Sequence, residues 1–193
     1  MTRVSVLLAC ALIVGCSGAA TPSPSSTTAR TVLPSAPATA DSRTCAAVAS
    51  GIAVKTATLE LAKGGVVQIA LRPDKAPSTV ATFIAKANAG FYNGLTFHRV
   101  EADFVVQGGD PQGNGFGGGS QATELSDLPF CKGALGIARG NDIRVSNDSQ
   151  WFICTGTCRF LDRMYTNFGQ VTSGMDVVLG IKVGDKIKSI KIS

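Results

Sequence analysis

Histidine and tryptophan each occur once in 193 residues, and charged side chains make up only 16% of the chain, against about 25% in ordinary globular proteins. One histidine leaves little material for imidazole relays or His-rich metal sites. Long apolar runs are also missing. The longest is the eleven-residue stretch Val4–Val14, whereas a helix crossing bilayer hydrocarbon needs about 20 such residues. A multi-pass membrane protein is therefore excluded. The 18 Lys+Arg and 13 Asp+Glu give a mild net charge of +5 with no long basic run, so the electrostatic footprint of a nucleic-acid binder is lacking. Apolar residues are plentiful at 45%, too many for a chain disordered throughout. The length suits one domain with appendages.

The short apolar run follows a single positive charge, Arg3, as in a secretory signal peptide. Its end, Ile13-Val14-Gly15-Cys16, resembles the lipobox of bacterial lipoproteins, in which the bond before the Cys is cut and the thiol acylated. The resemblance implies a signal peptide over residues 1–15, a lipid on Cys16, and a place in the bacterial cell envelope on the extracytoplasmic side of the membrane. Two or three acyl chains would make a stable anchor. In residues 17–44, Ser, Thr, Ala and Pro fill 22 of 28 positions. Such a stretch cannot bury enough surface to offset its ordering entropy. Residues 16–44 thus read as a lipidated Cys and a tether, spanning roughly 30 Å as a coil.

Residues 45–193 read as one folded domain. Thr56–Leu61 and Val66–Leu71 alternate about Lys63-Gly64-Gly65, a hairpin signal. Ala76-Pro77-Ser78 opens a helix with Val80, Phe83, Ile84 and Ala87 on one face, stopped by Gly90. Strand-like runs follow at Leu95–Arg99, Phe104–Gln107, Ala134–Ala138, Trp151–Cys154 and Asn167–Val171. A second helix is expected over Ser173–Lys182, with Met175, Val178 and Leu179 inward, before a closing strand through Ile187, Ile190 and Ile192. The pattern predicts a mainly β protein, a closed eight-stranded antiparallel barrel capped by two α-helices.

Six cysteines, less Cys10 in the leader and Cys16 under lipid, leave Cys45, Cys131, Cys154 and Cys158. An even number in an exported chain points to disulfides. Three connectivities are open. If Ala134–Arg139 pairs with Gln150–Thr155 as a hairpin, Cys131 and Cys158 share its midpoint and face each other beyond the strand ends. That register favours Cys131–Cys158, with Cys45–Cys154 as the remainder.

The most informative stretch is Phe97-His98-Arg99-Val100-Glu101-Ala102-Asp103-Phe104-Val105-Val106-Gln107-Gly108-Gly109-Asp110-Pro111. It sets a cation, apolar side chains and an amide close together and ends in paired glycines. With Ser149-Gln150-Trp151-Phe152-Ile153-Cys154-Thr155, Phe160-Leu161-Asp162 and Phe168-Gly169-Gln170-Val171, it resembles the cyclophilins, the cyclosporin-binding class of peptidyl-prolyl isomerases. Ala76–Phe83 and Phe91–Arg99 extend the likeness, which runs from about Thr56 to the C-terminus.

Rotation about an X–Pro bond meets a barrier of about 18–20 kcal/mol from amide resonance and takes tens to hundreds of seconds unaided. A catalyst needs no nucleophile or proton relay. It must hold the proline ring, favour the twisted peptide and donate to the nitrogen lone pair. Arg99 can donate, being permanently charged with a fixed fork of N–H groups. The resemblance implies that Phe104, Val105, Phe152 and Leu161 receive the proline ring and that Gln107 helps fix the carbonyl and Arg99. It further implies that Ala138 and Arg139 grip the residue before proline, that Gln150 and Phe160 line the neighbouring groove, and that Tyr165 stands at the rim.

The resemblance implies no cofactor and no metal, a monomer, and proline-containing polypeptides as partners, exported unfolded chains among them. Four residues depart from the commonest eukaryotic pattern: Val105 for Met, Arg139 for Asn, Phe160 for Trp and Tyr165 for His. The Arg and Tyr look like bacterial members of the family. Losing the indole N–H at Phe160 implies weakened cyclosporin binding. His98 reads as a packed structural neighbour, since the reaction needs no base. Gly113–Gly118 spells G-x-G-x-x-G but no amphipathic helix follows, so it reads as a loop edging the groove. The rival reading is a module that binds proline peptides without turning them over, and Arg99 together with Gln107 argues for the enzyme.

Overall fold

The structure is a computed structural model and describes residues 55–193; the leader, Cys16, the tether and Cys45 lie outside the described residues. Its elements in chain order are β1 (Lys55–Leu61), β2 (Val66–Leu71), α1 (Pro77–Asn88), β3 (Arg99–Glu101), β4 (Val105–Gly108) and β5 (Ser120–Ala122). They continue with β6 (Ala134–Arg139), β7 (Val145–Cys154), a 3-10 turn (Arg159–Leu161), β8 (Asn167–Ser173), α2 (Met175–Leu179) and β9 (Ile187–Ile192).

The strands form one antiparallel sheet in the order β3-β4-β7-β6-β8-β2-β1-β9, with β5 added beside β7. The closed eight-stranded barrel is corrected: the sheet has nine strands and curls into an open half-barrel. Its end strands β3 and β9 share no ladder, and an isolated bridge, Thr96↔Lys186, spans the gap. Residues 91–94 are turn, and of residues 95–98 only Thr96 pairs, in its isolated bridge, in place of the strand expected from Leu95, because Gly94 and the Tyr92–Leu95 turn bend the chain there.

Strand alternation divides the interior in two. Val106 on β4, Leu135 and Ile137 on β6, and Trp151 and Ile153 on β7 enter the main core beneath α1, with Leu59, Val67, Ile69, Phe83 and Phe168. Their sequence neighbours Val105, Ala134, Phe152 and Cys154 point to the opposite face. There they form a second cluster with Phe130, Cys158 and Leu161. In α1, Val80, Phe83 and Ala87 are buried as the periodicity predicts, and Gly90 follows the helix at φ +71°. No side chain of the flanking residue caps the α1 N-terminus. Glu124 does so from a distant loop, accepting from Ser78 N (3.0 Å) and Thr79 N (2.7 Å), where a carboxylate also meets the favourable end of the helix dipole. The second helix is shorter than expected, and Leu179 is exposed rather than inward.

The β6–β7 register differs from the sequence expectation by one residue. Leu135 pairs with Ile153, Gly136 with Phe152 and Ile137 with Trp151. A one-residue slip would turn each strand's apolar set over, and only the observed register puts Leu135, Ile137, Trp151 and Ile153 together in the main core. The shift also removes the geometric reason for facing Cys131 with Cys158. Cys154 and Cys158 are both free thiols, so neither Cys131–Cys158 nor Cys45–Cys154 exists. They are buried side by side in the second cluster. Cys158 donates to the Phe104 carbonyl at 3.3 Å, and the Cys154 thiol is pushed up, first by its hydrogen bond with Cys158 and then by burial.

Candidate active site

On the outer side of the second cluster the sheet carries a hollow of about 180 Å³. Phe104, Val105, Phe152 and Leu161 supply its apolar surface, and Arg99, Gln107, Ala138, Arg139 and Tyr165 complete the lining. Nine of the eleven residues singled out for catalysis and substrate contact therefore meet in one place. Gln150 lines an adjoining hollow of about 350 Å³. Phe160 is the exception: it lines neither hollow, stands 69% exposed, and packs on Phe104 with ring centroids 5.4 Å apart.

The pairing of β3, β4 and β7 explains the convergence. Arg99 lies opposite Gln107, and Gln107 lies opposite Phe152, so cation, amide and aromatic ring occupy adjacent strands on one face. Arg99 donates from Nη1 to Gln107 Oε1 (3.3 Å) and is ion-paired with Glu101 at 2.8 Å. Its guanidinium carbon stands 5.4 Å from the Phe104 ring centroid, within cation–π range. Gln107 Nε2 donates to Gln150 Oε1 (3.0 Å), and Gln150 Nε2 donates to the carbonyls of Gly117 (2.8 Å) and Gly115 (3.1 Å). One chain of hydrogen bonds thus runs from the cation to the glycine-rich loop.

Asp110 fixes that loop. Its carboxylate accepts from the backbone N–H groups of Gln112 (2.8 Å), Asn114 (2.9 Å) and Gly115 (2.5 Å). Burial alone would raise the Asp110 carboxyl, but those three donors outweigh it and hold it below the usual carboxylate range. Asn147 ties the other side, donating to Gly117 O (3.0 Å) and accepting from Gln150 N (2.7 Å). Nothing local in the sequence marks Asn147 as a hub.

The back wall depends on Gly136. A Cβ there would collide with the rings of Phe152 and Phe130, which stack with centroids 5.8 Å apart. Tyr165 meets the Phe152 edge at 6.0 Å. A register break between Ile137 and Arg139 lifts Ala138 and Arg139 onto the rim, the usual consequence of a bulge. His98 is absent from the lining of both hollows. Neither of its ring nitrogens has a hydrogen-bond partner among the described residues, and burial pushes its pKa down.

An apolar hollow bordered by a fixed cation and an amide is an arrangement for binding and polarising a neutral group, with no built nucleophile or base. Comparison with known proteins agrees. Residues 54–192 match the family described as "Cyclophilin type peptidyl-prolyl cis-trans isomerase/CLD". The chain is 40% identical to a peptidyl-prolyl cis-trans isomerase of Synechococcus elongatus, with 70% of this chain and 94% of that protein covered. It is 40% identical to peptidyl-prolyl cis-trans isomerase B of Bacillus subtilis, with 72% and 99% covered. A crystal structure of a Cryptosporidium parvum cyclophilin-type isomerase superposes with TM-score 0.67 at 25% identity, covering 73% of this chain and 98% of that one. Another crystal structure of a protein so described, in the presence of the dipeptide Ala-Pro, superposes with TM-score 0.66 at 24% identity, covering 72% and 98%. The chain belongs to the cyclophilin-type peptidyl-prolyl cis-trans isomerases.

Proposed function

We propose that the protein is a lipid-anchored isomerase working outside the cytoplasmic membrane on X–Pro bonds of exported polypeptides. The observation that carries the chemical part is the chain Arg99–Gln107–Gln150 held over an apolar hollow. In this reading the proline ring sits against Phe104, Val105, Phe152 and Leu161. A substrate carbonyl meets Gln107, and Arg99 donates to the imide nitrogen as that atom becomes pyramidal. Glu101 and the Phe104 face hold the guanidinium where charge develops, so little reorganisation remains for the transition state. No proton is transferred, which leaves His98 without a step. A structural neighbour was crystallised in the presence of the dipeptide Ala-Pro, which fits the choice of proline as the held residue.

The cellular part rests on the leader, the Ile13-Val14-Gly15-Cys16 phrase and the Ser/Thr/Ala/Pro tether. Newly exported chains refold outside the membrane, and uncatalysed proline isomerisation takes about 10–100 s there. The test is NMR exchange between the cis and trans forms of an Ala-Pro peptide with the full-length chain in detergent, followed by Arg99→Ala. Exchange should fall by about 10²-fold in the variant, as when one preorganised donor is removed, while peptide binding persists. Binding with no acceleration by the parent chain would make it a proline-binding module. Intact mass of the membrane-extracted protein tests the anchor: an N-terminus other than an acylated Cys16 would overturn it.

A further inference from the structure

Two guanidinium groups border the hollow, and their partners differ. Arg99 is neutralised by Glu101 at 2.8 Å. Arg139 donates only to neutral oxygens, from Nε to Met164 O (2.8 Å) and from Nη1 to Gly140 O (2.8 Å), and it lies 4.3 Å from the Tyr165 ring centroid. It takes part in no ion pair among the described residues. The acid that senses its charge, Asp142, is clamped by Arg144 at 2.9 and 3.1 Å. Arg139 is thus rigidly placed with its charge uncompensated and Nη2 unengaged.

Its position gives that charge a use. Arg139, with Ala138 and Gln107, lines both the first hollow and the adjoining one, so it stands on the partition between them. Neither lining contains an Asp or Glu. With the imide nitrogen at Arg99, whose partner Gln107 lines both hollows, the residue bonded to that nitrogen leads over this partition, and at about 3.8 Å between successive Cα atoms the one or two residues before proline lie within its reach. We propose that Arg139 selects X–Pro segments with an acidic side chain immediately before the proline or one residue earlier, the carboxylate pairing with the open edge of the guanidinium. The inference rests on reading the first hollow as the proline site.

An exposed ion pair gains little when both side chains must be ordered. Here one partner is already ordered by two hydrogen bonds and a ring, so the effect should reach the upper end for such pairs, about fivefold. The test uses the full-length chain and peptides differing only before the proline, with Glu, Gln or Lys at either position. Dissociation constants from NMR titration and catalysed exchange rates are read separately. Glu over Lys should be favoured about fivefold in low salt. The ratio should fall toward one at 1 M NaCl, where the screening length is about 3 Å. Arg139→Gln should level the ratio, and Arg139→Lys should restore part of it. Equal affinity for Glu and Lys peptides, or a preference that survives in Arg139→Gln, would overturn the proposal. A chain that ranks the peptides in binding without accelerating exchange would uphold the selectivity and sink the role given to Arg99.

Discussion

Trp151 and Phe152 are consecutive residues of β7, both nearly inaccessible, and they serve opposite faces of the sheet. Trp151 is ringed by Phe97, Phe83 and Tyr92, with centroids 5.7, 6.3 and 6.3 Å away and planes near perpendicular, the edge-on geometry aromatic quadrupoles favour. Phe152 has Phe130 stacked on one side and Tyr165 at its edge, and its remaining surface faces the hollow. The pleat alone makes this division. One face closes into a packed core that holds the strands in register, and the other carries the hollow, its back-wall rings Phe152 and Phe130 seated so close to Gly136 that a Cβ there would collide with them. The closed face fixes the frame on which the open face is a site.

Truncation on the two faces should therefore separate stability from activity. Trp151→Ala should lose about 3–5 kcal/mol in urea unfolding, the range for emptying an aromatic core position. Phe152→Ala should sit at or below the low end of that range, since part of its ring already borders open space, yet it should lose most of the isomerase activity. Equal stability losses would mean that the hollow is packed as tightly as the core.

Next in size is Asp110, whose three backbone N–H bonds hold the loop beside the site. Hydrogen bonds to a charged acceptor contribute about 1.5–3 kcal/mol, so Asp110→Asn should destabilise by an amount in that range at pH 7. The native carboxyl lies below its unfolded value of about 3.9. A depressed acid contributes stability that is present above the unfolded pKa and lost as pH falls through the native one. Urea midpoints from pH 7 to pH 3 should fall below about pH 4, and the fall should be shallower in Asp110→Asn. Parallel curves for the two proteins would remove Asp110 as the cause.

The same contrast of faces explains what was legible in the sequence. Periodicity located the hairpin of β1 and β2, the core face of α1 and most strands, because each is a local pattern of two or 3.6 residues. The site residues were legible through several ordered motifs, and nine of them meet at the hollow. Long-range properties were not. Whether the sheet closes, and that Glu124 caps α1 across 45 residues, depend on tertiary packing. Register was misjudged by one residue because a midpoint drawn between two apolar runs ignores which face each run must bury. The pairing of Cys131 with Cys158 failed with it, since Cys158 is a free thiol. Alkylation of the native protein without reductant should leave Cys154 and Cys158 unmodified, since both are buried and the Cys154 thiol resists ionisation. Unfolding should expose both to the reagent. A peptide cross-linked through Cys131 and Cys158 would contradict the free thiol at Cys158.

The smallest expected effect lies at the outer edge of the open face. Phe160 rests on Phe104 and is exposed, so its contribution is apolar contact without a donor. The family resemblance places an indole there, and an indole N–H directed at a bound cyclic peptide would add one neutral hydrogen bond. Such a bond contributes about 0.5–1.5 kcal/mol, or about two- to twelvefold in affinity. Phe160→Trp should therefore tighten cyclosporin binding by a factor in that range, with the urea midpoint hardly moved because the side chain is at the surface. Calorimetric titration of parent and variant would measure it. An unchanged affinity would show that the ring at this position acts by packing on Phe104 alone, and would leave Val105 and Arg139, which also depart from the commoner pattern and line the hollow itself, as the positions to vary next.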